Sequence, residues 1–138
     1  MAEGLLQLKL SAPEHEPVAI EATEIVVPGS AGVFTVLPGH TPLLTTLTQG
    51  VLIAYRPDAD AVFCAVHEGF AAVLDDRIVV LADTMELSES IDSAHAQAAR
   101  ERAEERLQRP GHGRSVQRAE AGLSWAIARL QAQRREEY

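Results

Sequence analysis

Apolar and polar residues alternate along the first part of the chain. In residues 5–10 (LLQLKL), Leu6, Leu8 and Leu10 fall on one side and Gln7 and Lys9 on the other. A period of two marks a strand with one buried face. Residues 18–27 repeat the pattern: Val18, Ile20 and Ala22 alternate with Glu21 and Thr23 before the apolar Ile25, Val26 and Val27. Pro28-Gly29 ends that run, because proline removes a ladder donor and glycine admits positive φ. Residues 33–37 form a third short run, stopped by Pro38-Gly39, and residues 50–55 (GVLIAY) a fourth. Arg56 to Asp60 reads as a hairpin turn, followed by strands over 61–66 and 69–74, a turn at Asp75-Asp76 and a strand over 77–82. Turns spaced this closely, with β-branched residues between them, predict an all-β sandwich or barrel. Only 4% of residues are aromatic, so Val, Leu, Ile and Ala must fill its core.

From residue 88 the period changes. Ser90 is the candidate N-cap of a helix, with Asp92 in its first turn, where the helix dipole favours an anion. Ala96, Ala99, Ala103 and Leu107 then fall on one helical stripe. Arg109 to Arg114, with Pro110, Gly111 and Gly113, breaks the helix. Val116, Ala119, Leu123, Ala126 and Leu130 mark a second helix with a heptad-like seam. A short Gly/Pro loop between two helices predicts an antiparallel hairpin. The division is therefore a β-sandwich domain over 1–87 and a helical hairpin over 88–138. The hairpin's seam is mostly alanine, which allows close approach but buries little area against the entropy of ordering. Spacing alone leaves both a fixed arm and a movable one open.

Charge sharpens the division. The chain of 138 residues carries a net −8. Residues 1–86 hold twelve acids against Lys9, Arg56 and Arg77, a net −9, whereas residues 87–138 hold eight acids against nine arginines, a net +1. An arginine-rich hairpin beside an acidic sandwich has reason to dock on it. The overall acidity argues against nucleic-acid binding, which depends on neutralising phosphates. No apolar run reaches the ~20 residues that span a bilayer, and the start MAEGLLQLKL has neither a signal-peptide nor a transit-peptide pattern. The lone Cys64 excludes an internal disulfide, fits a reducing compartment and sits mid-strand as a small buried hydrophobe.

Catalytic patterns are missing. There is no phosphate loop, no dinucleotide fingerprint and no Cys/His set with zinc spacing. Among His15, His40, His67, His95 and His112, only His67 beside Glu68 suggests an acid/base pair. Neighbours on a strand point to opposite faces and cannot share a substrate. A hydrolase using His67, Glu68 or His40 therefore lacks its nucleophile–base constellation. Trp125, in the second helix, either caps the alanine seam or touches a partner. Residues 33–44 (VFTVLPGHTPLL) stand out: two prolines stiffen an apolar loop with His40 at its tip, which suits a preorganised contact surface.

These motifs resemble the epsilon subunit family of F-type ATP synthase, called delta in mitochondria. Gly32 to Leu44 resembles the family's LPGHxPLL signature, with Gly50 at the usual distance. Glu68-Gly69-Phe70 resembles its GGF-type turn, Ile78 to Asp83 its VTVLAD strand, and Ile91 to Ala96 the start of its first C-terminal helix. The resemblance runs over nearly the whole chain. It implies about ten strands in two sheets followed by the helical hairpin. It implies a non-catalytic rotor subunit of the central stalk, bound to the gamma subunit and the c-subunit ring and coupling ion flow to ATP synthesis. The expected location is peripheral, on the cytoplasmic face of the bacterial inner membrane, held there only through the complex. Val33, Leu37, Pro38, His40, Thr41 and Pro42 are then the expected partner-binding residues. The hairpin, with Arg100, Arg102, Arg106, Arg118, Trp125 and Arg129, is expected to extend into the alpha/beta catalytic head and block ATP hydrolysis. The alternative is a free-standing sandwich adaptor whose helices bind another protein. Thr35 stands where many members carry glycine, and Val33 where some carry an acid. Some relatives bind ATP through an Ile/Leu-Asp-x-x-Arg-Ala motif. Here Ile91, Asp92 and Ala96 match but His95 replaces the arginine, and neutral imidazole is a poorer phosphate partner. No cofactor is expected, and ATP binding is expected to be weak or absent, with Arg102 and Arg118 as its remaining candidates.

Overall fold

A computed structural model describes residues 4–138. Eight strands come first: β1 (Leu6–Ala12), β2 (His15–Ala22), β3 (Glu24–Gly29), β4 (Gly32–Val36), β5 (Leu43–Leu47), β6 (Gly50–Tyr55), β7 (Val62–Leu74) and β8 (Arg77–Leu87). A 3-10 turn (Ser88–Ser90) leads to helices α1 (Ser93–Gln108) and α2 (Arg114–Gln133). The strand order is β2-β1-β8-β7-β5-β3-β4, with β6 pairing both β3 and β7. Among the described residues, only the β1–β8 pair is parallel.

The two long strands make a sandwich of this ribbon. β7 pairs with β6 through residues 62–66 and with β5 through residues 69–73, in one unbroken register. The changeover falls at His67 and Glu68, where the backbone turns left-handed: φ is 57° at Glu68 and 125° at Gly69. A Cβ on residue 69 would lie 2.0 Å from the carbonyl oxygen of Leu81. Glycine is therefore required there, by the close approach of β8 as well as by φ. The expected turn at Glu68-Gly69-Phe70 is thus a bend within one strand. The same bend explains why eight continuous strands do the work of the ten expected: β7 and β8 each run the length of the sandwich.

Four further boundaries differ from expectation. Thr23 divides the 18–27 run in two, its amide and hydroxyl both donating to the Tyr55 carbonyl, at 2.8 and 3.2 Å. The loop before Leu44 ends earlier, because Leu43 to Leu47 pair with β7 as β5. β8 continues past Ala82 to Leu87, still paired with β7. Finally, Ser90 lies in the 3-10 turn and Asp92 is the N-cap of α1, its Oδ1 accepting from the His95 amide at 3.1 Å. Aspartate accepts this bond as serine would, and the 3-10 turn takes up Ser88 to Ser90, which shifts the helix start by two residues.

The main core lies between the layers and is aliphatic, built from Leu6, Leu8 and Leu10 of β1, Ile25 and Val27 of β3, and Ile78 and Val80 of β8 among others. Cys64 sits within it, fully buried, and burial pushes its thiol up to about 12. A second core lies outside the sandwich. Val51 and Ile53 of β6, Phe63 and Ala65 of β7 and Ile91 pack against Ala128 and Ala132 of α2, with Trp125 at the margin. The alanine seam joins the helices to each other: Ala96 and Ala103 of α1 and Ala119 and Ala126 of α2 are buried. No helix among the described residues is long and apolar enough to cross a membrane.

Candidate functional site

The proline loop is tied down at its tip. The Gly39 amide donates to Asp76 Oδ1 in the β7–β8 turn at 2.7 Å, and the His40 amide donates to the Leu37 carbonyl at 3.1 Å. His40 Nδ1 donates to the Thr41 carbonyl at 2.6 Å, and its ring lies 6.4 Å from that of Phe34. The loop is therefore held by its own hydrogen bonds and by a neighbouring turn, with the apolar side chains outward. Val33 and Leu37 are half exposed, Pro38, Thr41 and Pro42 are exposed, and His40 is partly covered.

Beside the loop lies an apolar face that the pattern reading did not single out. Leu44 of β5, Phe70, Ala72 and Leu74 of β7, and Val79 and Leu81 of β8 all point outward. They are direct neighbours across the strands: Leu44 faces Ala72, Ala72 faces Val79 and Phe70 faces Leu81. Leu44 is 74% exposed, Leu74 57%, Phe70 55% and Leu81 54%. A contiguous patch of large apolar side chains on a folded chain marks an interaction surface. The signal was in the sequence: Phe70 to Leu74 and Ile78 to Leu81 are unbroken apolar runs, and such a strand is apolar on both faces.

The opposite end of the sandwich is covered by the hairpin, and here the expected hairpin residues divide. Trp125 touches the sandwich, its ring edge-on to His67 at 5.4 Å, while His67 Nε2 pairs with the Gln49 amide nitrogen at 3.0 Å. Arg129 is 8% exposed, its Nε donating to Glu86 Oε2 of β8 at 3.2 Å and its Nη1 to His95 Nδ1 of α1 at 2.9 Å. One guanidinium thus bridges β8, α1 and α2. Arg106 instead fastens the inter-helix loop, through Ser115 Oγ at 2.6 Å and the Arg109 carbonyl. Arg100 pairs with Glu104 along α1 at 3.0 Å. Arg102 and Arg118 are exposed.

The six nucleotide candidates have different surroundings. Ile91 is buried in the second core, Ala96 is buried in the helix seam, Asp92 caps α1, and His95 holds Arg129. Arg102 of α1 and Arg118 of α2 are exposed farther along the hairpin. His67 and Glu68 are also separated: His67 faces α2, and Glu68 is exposed at the bend. No cluster of His, Cys, Asp and Glu among the described residues has the arrangement of a metal site.

Comparison with known proteins matches both parts of this architecture. Residues 5–88 match the family model of the ATP synthase delta/epsilon chain beta-sandwich domain, and residues 89–133 that of its long alpha-helix domain. The ATP synthase epsilon chain of Moorella thermoacetica is 43% identical over 127 residues, covering 92% of this chain and 95% of that one. An epsilon chain of Syntrophotalea carbinolica is 42% identical over 127 residues, covering 91% of each. In solved structures, a chain of the Euglena gracilis mitochondrial ATP synthase superposes with a TM-score of 0.76 at 24% identity, over 94% of this chain and 81% of that chain. With both halves matched in order, the chain belongs to the ATP synthase delta/epsilon chain family, a non-catalytic subunit of the rotary complex.

Proposed function

We propose that this chain is a central-stalk rotor subunit, clamped to the gamma subunit and the c-subunit ring through one end of the sandwich. Its hairpin extends from the docked position into the alpha/beta head to restrain ATP hydrolysis. The observation that carries the reading is the open apolar face on β5, β7 and β8 beside the pinned proline loop. A rotor part must hold its shaft through many turnovers, which favours a broad apolar surface over scattered polar contacts. The loop is preorganised, so contact with the ring's polar loops costs little ordering. In this reading the sandwich over 1–87 is the clamp and the hairpin over 88–138 the regulator. The chain then works at the cytoplasmic face of the bacterial inner membrane, without spanning it.

The test is hydrolysis by the assembled head carrying either the full chain or a chain ending at Ser90. Faster hydrolysis with the shortened chain is expected. Equal rates, with both chains bound to gamma, remove the inhibitory role and leave the clamp.

A further inference from the structure

The last five residues, 134–138, lie beyond the segment matched by the helical family model, which ends at 133. They do not trail off. The Arg135 amide donates to the Ala132 carbonyl and the Glu136 amide to the Gln131 carbonyl, both at 3.0 Å. This is the double hydrogen bond that closes a helix when the intervening residue is left-handed. That residue is Arg135, at φ 57°. Glycine is the ordinary occupant of such a position, since any Cβ is strained there.

The arginine side chain supplies a reason for its presence. Its Nη2 donates to the Ala61 carbonyl, its Nη1 donates to Ser88 Oγ at 3.2 Å, and its guanidinium lies 5.1 Å from the centre of the Phe63 ring. All three partners belong to the sandwich or to its exit turn. The reversal carries the chain back along β6. Burial first, and then the Glu137 carboxylate, push the Tyr55 phenol up to about 12, which places Glu137 beside Tyr55. The Tyr138 hydroxyl donates to the Val51 carbonyl at 2.5 Å and accepts from the Val51 amide at 2.8 Å. Val51 lies beyond the end of the β3–β6 ladder, whose last pair is Val26 with Ile53. One phenol thus closes both backbone groups of an otherwise open strand edge.

We propose that residues 134–138 are a strap that fixes the hairpin in its docked position, with Arg135 as the pin and Tyr138 as the clasp on β6. This deepens the regulatory reading above: the tail, rather than the alanine seam, sets how readily the hairpin leaves the sandwich. Release of the strap frees the end of α2 nearest the second core, so extension starts there.

Two variants of the full chain test this, Tyr138→Phe and Arg135→Gly. The readouts are hydrogen exchange at the single Val51 amide and the emission of Trp125, the only tryptophan. Tyr138→Phe keeps the ring and removes the clasp, and exchange at Val51 should quicken about tenfold or more. Arg135→Gly gives the two readings opposite signs. If the tail is a mere helix end, glycine relieves the strained backbone, and Val51 protection holds or rises. If the tail is a strap, loss of the pin raises Val51 exchange and shifts Trp125 emission to the red. Unchanged Val51 protection in either variant overturns the proposal. In the assembled head both variants should lower hydrolysis. Release in the isolated chain with no change in hydrolysis supports the strap and counts instead against the inhibitory role of the hairpin.

Discussion

The two halves of β7 are built alike and treated differently. Residues 62–66 and 69–74 share one strand and one register with β8, and both put apolar side chains outward as well as inward. Over the first half, Phe63 and Ala65 are covered by Ala128 and Ala132 of α2. Over the second half, Phe70, Ala72 and Leu74 meet solvent. The bend at Glu68-Gly69 separates the two. The chain covers one end with its own hairpin and leaves the other end open. The covered end is reinforced by Arg129, Arg135 and Tyr138, which are polar and geometrically demanding contacts. The open end offers aliphatic side chains and Phe70, with Arg77 and Lys9 at its border opposite Leu74 and Val79. A surface that is to be released and re-formed gains from directional fasteners; one that is to stay bound gains from apolar area.

The largest effect should come from breaking the open end. Replacing Phe70 and Leu81 together by Asp puts two carboxylates at the centre of the patch. Both side chains are exposed in the isolated chain, so its melting temperature should move by no more than a few degrees. Affinity for the gamma subunit should fall by about 100-fold or more, as for loss of a central pair of apolar anchors. Titration calorimetry with purified gamma, alongside a thermal melt, checks both halves of the expectation. Retained affinity would move the clamp to another surface.

Breaking the covered end should act the other way, on stability rather than on assembly. Phe63→Ala removes the largest side chain of the second core and the ring beneath Arg135. The cost should be about 3 kcal/mol, the low end for a buried phenylalanine because solvent can enter as the hairpin lifts. Urea denaturation measures it, and a red shift of Trp125 at low urea locates the loss at the hairpin. Gamma affinity should remain within about threefold, since the patch is untouched.

How much of this contrast could be read from residues alone depends on the kind of interaction. The strands were legible wherever alternation was clean, as at Leu6, Leu8 and Leu10, and both helices were legible from their alanine stripes. β5 was hidden, because Pro38, Gly39 and Pro42 precede Leu43 so closely that the whole segment reads as loop. The proline loop itself was legible as a stiff apolar segment, from its prolines and Gly39. The open face was written in unbroken apolar runs, but two-sided burial and one-sided exposure give the same run. Only the fold shows that α2 covers Phe63 and stops short of Phe70. The fasteners left no periodic trace at all. Glu86 and Arg129 are 43 positions apart, and Val51 and Tyr138 are 87 apart. Nothing local distinguishes Arg129 from the eight other arginines of the hairpin segment.

A smaller effect should follow from Arg129→Met, which keeps the aliphatic bulk and removes the bridge. Glu86 remains partly solvated, with 27% of its side chain accessible. The loss should therefore be about 1–2 kcal/mol, below the cost of orphaning a fully buried charge. A double-mutant cycle with Glu86→Gln should recover about half of it. Full additivity of the two changes would show that Arg129 holds the hairpin through His95 and packing instead.

The smallest effect concerns pH. The only two tyrosines sit at the covered end. Burial, with Glu137 and Glu24 nearby, pushes Tyr55 up to about 12. Burial also raises Tyr138 despite the opposing Val51 amide. A phenol raised in the folded state holds its proton after the unfolded chain has begun to lose it near 10. The stabilisation is thus complete below pH 10 and declines as pH rises through the folded values. After solvent screening the decline should be about 1 kcal/mol for these groups. Cys64, also raised to about 12 by burial, adds a decline of the same sign from the main core. A melting curve therefore mixes the two cores, whereas Trp125 emission reads only the hairpin. Between pH 10 and 12 the wild-type emission should shift to the red together with tyrosinate absorbance. In Tyr138→Phe the shift should shrink and follow Tyr55 alone, while Cys64→Ala should leave it in place. An emission change that disappears with Cys64→Ala would assign the alkaline transition to the sandwich and detach it from the hairpin.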